Sequence, residues 1–147
     1  MTFGTYERIL QLLEQLETPP KQGPPRGAAP DQIVALERQL GYPLPAELRR
    51  WLAMCNGYIA GPWGLYGAHP GNNHKKDLDI AHIVGLSPEW RARRWIPVAS
   101  DGCGSTYVLD CSDRGQSPEA VYFVECFEPS QLGYAVASSL PCFLTFS

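Results

Sequence analysis

The chain has 147 residues, a hydrophobic share of 44% and an aromatic share of 11%, values that suit one globular domain able to bury roughly two-thirds of its unfolded surface without a metal or disulfide staple. A formal charge of −3 argues against a nucleic-acid binder that works by neutralising phosphates, and leaves room for a basic protein partner steered in by weak long-range attraction. No apolar run approaches the ~20 residues of a membrane span, and the N-terminus lacks the basic-then-apolar pattern of a secretory signal, so a cytoplasmic protein is expected.

Tyr6, Ile9, Leu10, Leu13 and Leu16 recur at steps of three and four, which predicts a helix with one apolar stripe over residues 3–17. Residues 18–30 hold five prolines and two glycines with almost nothing to bury, and read as a linker or extended arm. A polyproline ligand would bring an aromatic or specificity residue with it, and none is there. The chain is therefore divided into an N-terminal helix and proline-rich arm, 1–30, and a domain, 31–147.

In that domain Asp31 is a candidate N-cap for a helix whose apolar face is Ile33, Val34, Leu36 and Leu40, ended by Gly41. Pro43 and Pro45 fix the connection, with Pro45 in the first turn of the next helix. The stripe of that helix is Leu48, Trp51, Leu52 and Cys55, and Asn56-Gly57 is expected to close it. Gly61 to Gly67 alternates glycine with large apolar residues, as a short strand does when it is bent or closely approached by another backbone. Residues 68–76 read as a polar loop, residues 77–86 as a helix through Leu78, Ile80, Ile83 and Val84, and residues 88–94 as a short helical turn.

Trp95 to Asp110 is the best-defined stretch. Ile96 and Val98 on one side and Tyr107, Val108 and Leu109 on the other flank Asp101-Gly102-Cys103-Gly104, which predicts strand, tight turn, strand. Asp101 is placed to bond its own backbone two residues on. A turn at 113–118 follows, then an apolar run, Ala120 to Glu125, suited to a strand covered on both faces. A further strand is expected at 134–137 and a capped closing helix at 138–144.

Chemistry is harder to find. Five cysteines without a repeated short spacing argue against a disulfide framework. Cys103 as a nucleophile would need a neighbouring base, and the three histidines His69, His74 and His82 stand in or near the 68–82 loop without a pairing or zinc-knuckle spacing. Cys55, Cys111, Cys126 and Cys142 read as core fillers. Gly61 to Gly67 lacks the ending of a phosphate loop. Arg91, Arg93 and Arg94 beside Trp90 and Trp95 form a basic cluster that either grips an acidic group or covers a tryptophan with its stems. Asp77, Asp79, Asp101, Asp110 and Asp113 are better explained as caps and turns than as a paired acid and base. No catalytic residue, metal ligand or cofactor is assigned.

Three stretches carry a resemblance. Residues 35–57, with Leu36-Glu37, Leu44-Pro45, a hydrophobic helix and Asn56-Gly57, resemble the N-terminal signature of the SUKH superfamily, the Smi/Knr-like proteins. The glycine-flanked 61–67 motif is similar to one that those proteins carry at this point. Trp95-Ile-Pro-Val-Ala, then Asp101 and Gly102, then Tyr107-Val-Leu-Asp110 is the stronger match, and the resemblance runs over about 31–146.

It implies a single α+β domain: N-terminal helices, then a mainly antiparallel sheet of about four to six strands, with a C-terminal helix packed on it. It implies a non-catalytic immunity protein that binds a cognate polymorphic toxin domain, often a nuclease, and blocks it stoichiometrically, without touching nucleic acid or membrane itself. A scaffold related to fungal cell-wall-synthesis regulators is the alternative. By family analogy the partner-binding residues would be Trp63, Tyr66, Trp95, Asp101, Tyr107 and Asp110.

Overall fold

The computed structural model describes residues 8–11, 26–60, 63–68, 79–101, 103–111, 120–125, 131–140 and 143–144. The named elements are α1 (Pro30–Leu40), α2 (Ala46–Leu52), β1 (Tyr58–Ala60), β2 (Trp63–Leu65), α3 (Ile80–Leu86), α4 (Pro88–Arg93), β3 (Trp95–Ser100), β4 (Thr106–Asp110), β5 (Val121–Val124) and β6 (Ala135–Ala137). Residues 8–11 are also helical. Residues 19–25, 69–78 and 113–118, on which most of the expected arm, the expected polar loop and the expected turn fall, lie outside the described residues, as do Cys126 and Cys142.

α1 starts two residues earlier than Asp31 as N-cap would set it. Pro30 takes the first helical position, where its missing N–H costs nothing, and Ala29 is the N-cap. The Ala29 N–H donates to Gln32 Oε1 at 2.8 Å, the half of a capping box in which the N3 side chain reaches back to the N-cap backbone, while the Gln32 N–H donates to the Ala29 carbonyl at 3.0 Å. Asp31 instead puts its charge in the first turn, where the helix dipole favours it. Gly41, at φ 87°, ends the helix and its N–H donates to the Glu37 carbonyl at 2.9 Å. The Glu37 carboxylate then accepts from Leu44 N at 2.7 Å and from Arg49 at 3.3 Å, tying the connection to α2. Pro45 is the N-cap of α2, one position before the first turn.

Asn56 and Gly57 do not close α2, which ends at Leu52. They fasten three segments together. Asn56 N donates to the Arg26 carbonyl at 2.7 Å, and Asn56 Oδ1 accepts from the buried Ala68 N at 2.6 Å. A Cβ on Gly67 would lie 2.5 Å from Gly57 N, so the close approach read from the glycines at 61–67 is made at Gly67. The Gly67 carbonyl in turn accepts from Ile80 N at 3.0 Å, which fixes the start of α3. Ala28 N also donates to the Leu52 carbonyl at 2.7 Å, so residues 26–29, grouped with the arm by composition, are bonded to the body.

The sheet is an antiparallel meander of six strands, in the order β1-β2-β3-β4-β5-β6. β1 and β2 form a hairpin, where the sequence suggested one bent strand. β3 and β4 pair from Trp95 opposite Asp110 to Ser100 opposite Thr106, with a bulge between Pro97 and Ala99. The bulge falls beside a proline that has no N–H to give, and the Val98 carbonyl there accepts from Tyr66 N at 3.0 Å.

Both faces of the sheet are covered. Ile96, Leu109 and Val121 meet α1, α2 and α3 and the closing residues Leu140, Phe143 and Leu144 in the main core, which Ile9 joins. Val108 and Val124 point the other way, to Trp90 of α4 and Trp95. The Phe143 N–H donates to the Ser139 carbonyl at 3.0 Å, one helical turn that packs its apolar side inward. The architecture is the α+β arrangement expected: helices first, then an antiparallel sheet, with a C-terminal helical segment against it.

Candidate functional site

The β3–β4 hairpin divides the candidate residues between its two ends. At the turn, Asp101 Oδ1 accepts from Cys103 N at 2.8 Å and from Ser105 N at 3.1 Å, and Gly104 takes the φ of 99° that the reversal needs. Tyr107 lies next to this end, half-buried. Its phenol is pushed up by burial first, then by the Asp101 carboxylate and by Tyr134.

Trp95 and Asp110 face each other at the opposite end. From Thr106 to Asp110 the strand rises roughly 13 Å, so the two pairs belong to different parts of the surface. Trp95 is 6% and Asp110 7% exposed. The Trp95 ring packs 6.5 Å from that of Trp90 and lies under the Arg93 guanidinium at 5.0 Å. Arg93 thus covers a tryptophan, the second of the two roles its cluster allowed. Tyr66, 5% exposed, is in the main core. Trp63 opens β2 opposite Ala60; its side chain lies outside the described part of the structure.

Three aromatic residues join this surface without having been assigned to it. Phe123 is the register partner of Tyr107, Phe143 stacks on Tyr107, and Tyr134 stacks on Phe123. The period-two pattern of β5 puts Phe123 on the face of Val121, but only the β4–β5 register shows that it stands against Tyr107. No local signal in the sequence joins Tyr134 or Phe143 to that pair.

A second polar cluster lies between α4 and the loop after α1. Tyr42 is 7% exposed, and its hydroxyl has no hydrogen-bond partner among the described residues. The Arg94 guanidinium sits 5.2 Å from its ring centre. Arg94 has φ 59°, the left-handed region, where it ends α4. Burial pushes the Tyr42 phenol up, and Cys111 adds to this while Arg94 and Arg91 oppose it. The Cys111 thiol is itself pushed up to about 12, by burial and then Asp110. Burial likewise pushes Cys55 up to about 12, so neither thiol is a ready nucleophile at neutral pH. Cys103 is exposed in the turn.

Among the described residues no group of three or more His, Cys, Asp or Glu comes together as a metal site, and no helix is long and apolar enough to cross a membrane. His82 is exposed on α3, while His69 and His74 lie outside the described residues. What the geometry offers is an α+β domain whose more open side chains near the hairpin turn are, among the described residues, aromatic and acidic. The model of the SMI1 / KNR4 family (SUKH-1) matches residues 27–145. The chain belongs to that family. No curated protein matches it in sequence.

Proposed function

We propose that this is an immunity protein that binds a cognate toxin domain and blocks it by stoichiometric occlusion. The observation that carries the reading is the family match over residues 27–145, because SUKH membership suggests an immunity role. An aromatic and acidic surface suits the role. Basic catalytic domains, such as those of nucleases, are drawn to carboxylates, and a few aromatic anchors concentrate affinity.

We assign the contact surface to the turn end of the β3–β4 hairpin, through Asp101 and Tyr107, together with Trp63. Tyr66, Trp95 and Asp110 are buried and enter the proposal as supports that hold the hairpin in shape. The protein would act in the cytoplasm, where an incoming toxin meets its target.

The test is affinity capture from the native lysate in high salt, followed by titration of the activity of whatever is retained. A toxin domain bound near one-to-one, whose activity falls on titration, is the expected outcome. Capture of cell-wall or signalling proteins with no inhibition would overturn the immunity reading in favour of a scaffold.

A further inference from the structure

Tyr107 and Phe123 are opposite one another in β4 and β5, so their rings leave the same face of the sheet, with centroids 5.3 Å apart. Phe143 lies 4.9 Å from Tyr107 on one side, and Tyr134 lies 5.8 Å from Phe123 on the other. Four rings from four segments thus form one row. It begins in the core at Phe143 and ends at Tyr134, which is 69% exposed.

The outer end of the row is held by backbone. Phe123 N donates to the Tyr134 carbonyl at 3.1 Å, and Gly133 N to the Phe123 carbonyl at 2.7 Å. A Cβ on Gly133 would stand 2.6 Å from that carbonyl oxygen, so this approach requires glycine. A large exposed ring on a fixed backbone loses little freedom when it is covered, which is the property of a binding anchor.

The charges that the described residues place beside the row, those of Asp101 and Glu125, are negative. Asp101 is close enough to influence the Tyr107 phenol. Glu125, exposed, follows Val124, whose register partner Thr106 precedes Tyr107. Ring faces attract cations, and a carboxylate next to a ring adds a charge-assisted hydrogen bond. Of the cationic side chains, arginine can stack on the ring and bond the carboxylate with the same planar group. Stacked nucleic-acid bases would bring phosphates toward Asp101 and Glu125, which repel them.

We infer that the row Tyr107, Phe123 and Tyr134, with Asp101 at its side, is a docking strip for an arginine-bearing segment of the protein partner. This deepens the neutralising role proposed above and rests on it for the existence of a partner.

The experiment is a titration of the isotope-labelled full chain, followed by two-dimensional NMR, with a short blocked peptide alternating arginine with glycine and with its glutamate counterpart. Saturable shifts for the arginine peptide, concentrated at Asp101, Tyr107, Phe123 and Tyr134, are expected, with none for the glutamate peptide. Tyr134→Ala weakens binding roughly threefold or more while leaving the melting temperature in place, because that side chain is mostly in solvent. Asp101→Asn weakens it as well, although its amide oxygen still accepts the two turn hydrogen bonds.

Shifts that map elsewhere, equal binding of the glutamate peptide, or unchanged affinity in both variants would overturn the inference. A captured toxin inhibited equally by the parent and by Tyr134→Ala would also overturn it and leave the neutralising role standing. Docking of the arginine peptide on the strip, with captured partners that are never inhibited, would keep the strip and remove the role.

Discussion

Asn56 and Tyr42 show opposite ways for a buried polar group to bear on stability. Asn56 Oδ1 satisfies the buried Ala68 N–H, so Asn56→Ala leaves that donor without its acceptor inside the protein. The expected loss is about 1–3 kcal/mol, read as a lower urea midpoint at unchanged slope. Tyr42 has a hydroxyl without a partner among the described residues, so Tyr42→Phe gives up no such bond. Stability that is unchanged or raised by up to about 1 kcal/mol is expected; a loss of that size would mean that the hydroxyl is engaged. The sequence shows the residue types but not these differences. Asn-Gly after a helix reads as a terminator because it tolerates the left-handed region, and only the packing of residues 26 and 68 against it gives Asn56 its actual task.

At the scale of elements, the parts whose signal is local were legible. The β3–β4 turn follows from Asp101 and its glycines, and α1, α3 and α4 follow from apolar spacing and prolines, although α3 begins at Ile80, after Asp79, which bridges Gly67, and not at residue 77 as expected. What was not legible depends on distant partners. The start of α1 is set by Gln32 reaching back to Ala29, not by Asp31. The β1–β2 hairpin is hidden because three-residue strands are too short to display a period. Of the candidate residues, Asp101 and Tyr107 share the turn end, whereas the rings of Tyr66 and Trp95 are in the core because aromatic burial stabilises a domain this small. Gly67 is the junction on which β2, α3 and Asn56 depend. Gly67→Ala would push a methyl group into backbone, and thermal melting is expected to show a loss of roughly 2 kcal/mol or more. Melting at the parent temperature would mean that the junction yields easily.

At the scale of the whole molecule, burial holds two thiols, Cys55 and Cys111, protonated, and this bears on how the fold meets alkali. The Cys55 pKa rises from 9.0 to about 12 in the folded state, so folding retains a proton that the unfolded chain releases. Below pH 9 both states hold that proton and stability is unaffected. From pH 9 toward 12 the unfolded state ionises first, and stability falls by at most about 1.4 kcal/mol per pH unit for each such thiol. Urea midpoints are expected to drop as pH rises from 9 toward 12 in the parent and to drop less steeply in Cys55→Ala; equal slopes would place the effect elsewhere. Because Cys111 and Tyr42 shift in the same direction, the variant keeps part of the slope.

The immunity reading makes its sharpest demand on stoichiometry. The most direct measurement is the residual activity of a captured toxin domain as the full chain is added in increasing molar ratio. Occlusion requires a linear fall that reaches its floor near one-to-one and reverses when the two are separated. Full activity beyond equimolar addition, or irreversible loss at a small fraction of one equivalent, would contradict it, the latter by showing that the protein turns over.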